Sequence, residues 1–394
     1  MGYKVYKIKL EDEKQQEQLY MINDDLIDYW RKPSLKYNIT GQAMVPPSLT
    51  SWFEQRLNDF DIAKEVFVDD VYEYLMKKDE VSIKSFNNVS DTAFNLYEYN
   101  RYNEIVDYLR ALERTYDNSE GVNLRVVENG ITAEGRPLVY IQLTNSTTNS
   151  NDKPIVIVEA GIIPRQWITV PSSMNIVHKL LDSDHSRLLN GYEWIIIPVL
   201  NPDGYEYTHT NLRLWMKSRS VRSHLGAICP GVNINRNFDI AWLQSDSSSS
   251  PCSHLYGGIE AFSEAESRLV RSSLESNKGR TRLYISLQNT GGYISYPWQY
   301  ERAASGMFLQ HHLLGLDMVA AMGDRYYLDV ASSAYGDRAS GTSTDYMRQN
   351  EVLYTFNIDI APSGEDGVIV PREEVPMIAE NVWRAVSVAA ESLL

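Results

Sequence analysis

No apolar run in this 394-residue sequence approaches the ~20 residues a helix needs to cross a bilayer, so no spanning helix is read from it. Basic residues are in deficit: 37 Lys and Arg stand against 52 Asp and Glu, a net charge of −15. Nucleic acid and anionic membrane surfaces both need a basic footprint, which argues against either as the main partner. Cysteine is nearly absent. Cys229 and Cys252 are the only two, and a disulfide between them would close a loop and stabilise the fold by roughly 3 kcal/mol; two buried thiols are the alternative. No internal repeat is apparent, and Met1-Gly2-Tyr3-Lys4 leads straight into a strand-like run rather than a signal peptide. None of the seven histidines (His178, His185, His209, His224, His254, His311 and His312) begins a His-x-x-Glu. His311 and His312 point away from each other on a helix, and solvated histidines are the expectation. Gly341-Thr-Ser-Thr-Asp345 lacks the Gly-x-Ser-x-Gly of a nucleophile elbow.

What is present has an ordinary globular composition, 43% hydrophobic and 23% charged, over a length that favours two domains. Residues 1–80 read as a small α+β module. Tyr3 to Leu10 alternates like a half-buried strand, Glu11–Leu19 is helix-like, and 58–76 reads as a second helical region through Phe67, Val71 and Leu75. A mostly polar stretch, 81–92, reads as a linker, with Lys77, Lys78 and Lys84 nearby as points for a trypsin-like protease. The second domain, 93–394, opens with a helix over 97–113. Strands follow at 124–127, 138–143, 155–158, 194–200, 283–287 and 353–356, with helices at 171–181 and 376–393. Strands alternating with helices predict an α/β domain with a mostly parallel central sheet covered by helices.

The stretch that organises the second domain is Pro154 to Ile168. The buried strand Ile155–Val158 ends at Ala160-Gly161, where α/β proteins place their chemistry, and then meets Pro164-Arg-Gln-Trp167. Further ordered motifs follow: Asn201-Pro-Asp-Gly-Tyr-Glu-Tyr-Thr-His209, Gly231-Val-Asn-Ile-Asn-Arg-Asn-Phe-Asp239, Pro251-Cys-Ser253, Ala261-Phe-Ser-Glu-Ala-Glu266 and Tyr296-Pro-Trp298. Taken together, this set resembles the zinc metallocarboxypeptidases of the carboxypeptidase A/B type. The first module is similar, more loosely, to their pro-segment, including Asp28-Tyr-Trp-Arg31 and Val45-Pro-Pro47.

That family's chemistry needs zinc with three protein ligands and an open position for water, a Glu base and an Arg that steadies the oxyanion. The family strand-turn pattern is Gly-Ile-His-Ala-Arg-Glu-Trp, whose His and Glu are ligands; here Ile163 and Gln166 stand there. The third ligand His is matched by Gln288, the general base by Asn357 and the oxyanion Arg by Met216. Isoleucine cannot ligate a metal, glutamine is a poor neutral zinc ligand, and neither amide is a base near pH 7. The resemblance therefore implies a pseudoenzyme with its zinc site lost and no cofactor.

Other matched positions are retained. Arg165 is kept, as are Asn235 and Arg236, which match the Asn-Arg pair that holds a peptide's terminal carboxylate in the family, where a charge-assisted bond is worth about 1.5–3 kcal/mol; Arg213 keeps its place on the rim of the substrate path. They read either as a chain-end binding set or as members of a buried network. The capping tyrosine falls on Tyr335 or Asp337 depending on the anchor used, and the pocket floor falls near Thr344. The resemblance also implies that Cys229 and Cys252 pair. With the acceptor triplets at Asn38, Asn88 and Asn145, it implies a secreted glycoprotein whose signal has been removed. Three functions follow as alternatives: binding a peptide or protein C-terminus, acting as an interaction protein with its cleft capped, or residual hydrolysis.

Overall fold

The computed structural model describes residues 2–22, 25–86, 94–117, 121–146, 153–289, 291–360 and 367–394. Its compact units are Met1–Ala93 with Tyr335–Asp337, and Phe94–Ala334 with Arg338–Leu394. In the first, β1 (Lys4–Lys9), β2 (Asp28–Arg31), β3 (Gly41–Val45) and β4 (Ala63–Val68) form an antiparallel sheet in the order β2-β3-β1-β4. Helices Glu13–Met21 and Thr50–Asp59 supply Leu19, Phe53 and Leu57 to the core beside Tyr6 and Ile8 of β1. The helix read at 11–19 starts two residues later because Asp12 caps it, its carboxylate accepting from Gln15 N at 2.7 Å.

The single helical region read over 58–76 is not observed. β4 occupies its middle and pairs with β1, and helix Val71–Phe86 follows. The four-residue spacing misled because it crosses a strand–helix junction: Phe67 lies on β4, while Val71 and Leu75 lie on the helix. Asp70 starts that helix by accepting from Tyr72 N and Glu73 N at 2.8 and 3.3 Å. The helix continues to Phe86, so 81–86 of the expected linker is helical. Asn88 lies outside the described residues.

The second unit is built on eight strands: β5 (Asn123–Ile131), β6 (Pro137–Thr144), β7 (Ile155–Glu159), β8 (Glu193–Ile197), β9 (Thr281–Asn289), β10 (Tyr293–Tyr296), β11 (Tyr327–Val330) and β12 (Tyr354–Ile360). Their order is β11-β10-β12-β9-β7-β8-β6-β5. The central run β12-β9-β7-β8 is parallel, as is β10 with β11, whereas β10 with β12, β8 with β6 and β6 with β5 are antiparallel. The sheet is thus mixed, with its parallel part in the middle. Successive side chains alternate between faces. From β7, Val156 and Val158 join the larger core while Ile155 and Ile157 join the smaller one. Helices Tyr102–Tyr116, Thr169–Leu181, Phe308–Met322 and Val375–Ser392 pack on the larger core, and Ala265–Ser276 and Ser343–Gln349 on the smaller.

The first helix of this unit begins at Tyr102 rather than 97. Glu104 reaches back to Arg101 N at 2.7 Å, and Tyr102 N donates to Glu206 Oε1 at 2.8 Å, which fixes the start. Two of the histidines also differ from expectation. His311 is fully buried, with Nδ1 against Met307 O at 2.9 Å and Nε2 accepting from Thr355 N at 3.2 Å. His209 stacks on Trp167 at 4.1 Å, and burial pushes its pKa down to about 3. Cys229 and Cys252 form a disulfide. Asn38 is exposed at a turn, and Asn145 is half-buried with its amide donating to Asn190.

β7 leads into the turn that places the site. Gly161 has φ +65°, and a Cβ there would lie 3.0 Å from Val199 Cα. The turn is pinned to the segment after β8 by Leu200 N to Ala160 O at 2.9 Å and Asn201 N to Gly161 O at 3.1 Å. Both the backbone angle and the close approach demand glycine. Gly161→Ala should therefore destabilise the protein by about 1–3 kcal/mol in urea unfolding. An unchanged midpoint would show that the turn yields.

Candidate functional site

The strand alternation that buries Ile155 and Ile157 brings Glu159 to the same face of the sheet, at the carboxyl end of β7. Register carries this position across the sheet: Glu159 lies opposite Ser286 of β9, Ser286 opposite Asn357 of β12, and Asn357 opposite Ser295 of β10. All four are buried. Gln288 and Tyr284 share the face, two residues either side of Ser286. The result is a row of polar side chains beneath the end of a parallel sheet, at the strand from which the order runs both ways, where such sheets hold ligands.

The row is internally bonded. Ser286 Oγ donates to Glu159 Oε1 at 3.2 Å, and Tyr284 OH donates to Glu159 Oε2. Gln288 Nε2 donates to Asn357 Oδ1 at 3.2 Å and to Ser286 Oγ at 3.3 Å. Asn357 Oδ1 also accepts from Thr344 Oγ1, and its Nδ2 donates to Ser295 Oγ at 3.4 Å. Thr344, expected near a pocket floor, is thus bonded to the position expected to be the base. Burial pushes the Glu159 carboxyl up to about 7, against the pull of Tyr284, Ser343 and Ser286.

Two further matched positions are apolar. Ile163 is 5% exposed and belongs to the smaller core, and Met216 packs against that core. Gln166 turns its Nε2 to Asn289 O at 2.7 Å, tying the loop after β7 to the end of β9. Lys217, next to Met216, does not supply the missing cation: its buried Nζ donates to Pro251 O at 2.7 Å, and burial, with help from Arg219, lowers its pKa to about 8.

Zinc needs His, Cys or carboxylate donors. The matched positions offer a hydrocarbon and two neutral amides, one of them bonded to Asn357 and the other to Asn289 O. These residues do not fit the metal. Among the described residues, no group of three or more His, Cys, Asp or Glu could hold a metal ion.

The expected carboxylate set is only partly assembled. Asn235 is buried, and its Oδ1 accepts from Ser343 N at 3.0 Å, one residue from Thr344. Arg165 is also buried, and its carbonyl accepts from Arg213 Nη1 at 2.7 Å. The Arg213 guanidinium lies 3.7 Å over the Trp167 ring. Arg236 is engaged elsewhere. Its Nε donates to Asp246 O at 2.6 Å, its Nη2 to Asp246 Oδ2 at 2.8 Å and its Nη1 to Asn235 O at 2.8 Å. The pair is part-buried, so a ligand carboxylate would have to compete with an ion pair already in place.

Sequence reasoning missed Glu159, Ser295 and Asp246. Glu159 left one signal, a lone acid closing a run of four buried apolar residues. Asp246 left none, lying in a serine-rich stretch. Tyr335 and Asp337 both lie half-exposed between Ala334 and Arg338.

The mixed sheet, the glycine turn after β7 and the positions gathered at its end define a carboxypeptidase scaffold. A zinc carboxypeptidase family model matches residues 105–385, and a carboxypeptidase activation peptide model matches residues 6–78. The chain belongs to the zinc carboxypeptidase family. It is 31% identical to carboxypeptidase B of Helicoverpa zea over 99% of this chain and 93% of that protein. It is likewise 31% identical to zinc carboxypeptidase A 1 of Drosophila melanogaster, over 99% of this chain and 92% of the relative. The crystal structure of carboxypeptidase A from Helicoverpa armigera matches with a TM-score of 0.92 at 28% identity, covering 99% of this chain and 97% of that one.

Because Glu159 titrates near 7 rather than at the ordinary 4.5, the folded state holds its proton longer than the unfolded chain. The stability this contributes is fully present below about pH 4.5 and is lost as pH rises through about 7. Glu159→Gln should remove that decline, at up to about 1.4 kcal/mol per pH unit between the two values. Glu266, buried and pushed up to about 8, gives both proteins a shared slope, so their difference isolates Glu159. Parallel unfolding curves across this range would contradict the assignment.

Proposed function

We propose that this chain is a non-hydrolytic zinc carboxypeptidase family protein that acts by binding a polypeptide, either a peptide or a segment of a protein partner. The observation that carries this reading is the bond between Gln288 and Asn357. Where the family would place a metal ligand and a base, two neutral amides satisfy each other, with Ser286 and Thr344 completing the set. Neither amide takes a proton from water near pH 7. Met216 leaves a developing oxyanion without the Arg that the family pattern supplies. No cofactor is part of this reading, since the donor set offers zinc nothing it prefers.

Amides and apolar side chains at the matched positions suit a polypeptide, whose backbone donates and accepts hydrogen bonds and whose side chains present apolar surface. We place the protein outside the cell, a reading supported by the disulfide and by an exposed Asn38 in a glycosylation triplet. Asn88 and Asn145 are the other proposed glycan positions.

Metal content and hydrolysis test this together. Purified protein dialysed against zinc should hold far less than one zinc per chain and release no C-terminal residues from peptides. The triple variant Ile163→His, Gln166→Glu, Gln288→His should gain one zinc per chain. Stoichiometric zinc in the unaltered chain, with chelator-sensitive peptide cleavage, would overturn the proposal.

A further inference from the structure

The loop that delivers Asp246 to Arg236 is built at a conformational cost. Ala241, Leu243 and Asp246 all have positive φ, at 44°, 60° and 40°, although none is glycine. Such backbone persists only where the surroundings over-determine it, and it clusters at functional sites. Here the determinants are visible. Gln244 N and Ser245 N both donate to Ser340 Oγ, at 3.1 and 3.2 Å, and Ser340 N returns a bond to Ser245 O at 2.9 Å. Gly341 N donates to Ile240 O at 2.9 Å, and Trp242 Nε1 to Gly257 O at 3.0 Å. The loop is thereby fixed to the segment that runs into Ser343 and Thr344, the residues bonded to Asn235 and Asn357.

What this strained loop presents is a carboxylate. Asp246 meets the guanidinium through both its backbone carbonyl and its side chain, and Asn235 O takes a third N–H. The pair is largely shielded, at 11% and 19% side-chain exposure, so water screens it little. Three of the five guanidinium N–H groups are thus engaged, and the Asp246 charge opposes the approach of a second carboxylate. Arg213, the rim arginine, is committed to the Arg165 carbonyl and to the face of Trp167.

We propose that Asp246 is a specificity-determining residue: it supplies from within the chain the carboxylate Arg236 would otherwise take from a ligand. The site therefore takes an internal or amidated stretch of polypeptide rather than a free chain end. This rests on the binding reading above and reverses the sequence-based expectation of a carboxylate-terminated ligand.

The test is a matched peptide array. Octapeptides immobilised by their N-termini, each as free acid and as C-terminal amide, are probed with the full-length chain. The unaltered protein should bind the two forms within about twofold of each other. Asp246→Gly removes the carboxylate and suits the left-handed backbone, so it should prefer the free acids at least tenfold. Asp246→Asn, which keeps shape and left-handed tolerance, should move the same way should the glycine variant fail to fold.

A tenfold preference of the unaltered chain for free acids would overturn the inference while leaving polypeptide binding intact. An acid-to-amide ratio that neither folded variant changes would do the same. Binding to no peptide by any of the three proteins would remove the binding reading and the inference together. Free-acid binding that appears only in the variants would support the inference.

Discussion

Glu159 has no exposure to solvent, so the sheet must find hydrogen-bond partners for its carboxyl among neighbouring strands. Tyr284 and Ser286 of β9 provide them, and the requirement then passes along the register to Gln288, Asn357 and Ser295. Each member is satisfied by the next. A network of this kind fixes the relative positions of four strands at the end where the loops must be placed. On the proposed reading it also accounts for the chemistry the site lacks, because these side chains are bonded to one another. The same parity that directs these groups to one face sends Val156, Val158, Leu283 and Ile285 to the other. Packing and site therefore draw on alternate residues of the same strands.

The site is neutral where its scaffold suggests strong charges. Zinc would bring a double positive charge, which the matched positions have no anionic ligand to balance. Ile163 and Gln166 at the ligand positions and Asn357 at the base position carry none. Met216 extends the apolar surface of the smaller core. A charged residue left among these neutral partners would be expensive to bury. Glu159, in the polar row, has its ionisation displaced towards neutrality by burial. Arg236 follows the same rule by another route, since Asp246 cancels its charge on the spot.

Much of this was legible in the sequence, and the exceptions have physical reasons. Long apolar strands such as β7 and β8 announce themselves because both faces are buried. The substitutions at Ile163, Gln166, Gln288, Asn357 and Met216 could be read because each sits in a recognisable motif. β4 was hidden because apolar residues four apart happened to straddle a strand and a helix. His311 looked like a surface residue, yet its two nitrogens bond backbone groups that only the tertiary fold brings near. The Arg236–Asp246 pair depends on three residues in an unusual backbone region, for which composition offers no signal.

Both members of that pair lie between Cys229 and Cys252, inside the loop the disulfide closes. Covalent chemistry and electrostatics thus act on the same short stretch of chain. A chain folded without the bond would leave the loop that holds both residues open at its ends, with more conformations to lose. On the proposed reading, the choice between chain ends and internal segments is thereby tied to the thiol chemistry of the compartment where the chain folds. An oxidising environment would fix the choice once, at folding, and hold it for the life of the molecule.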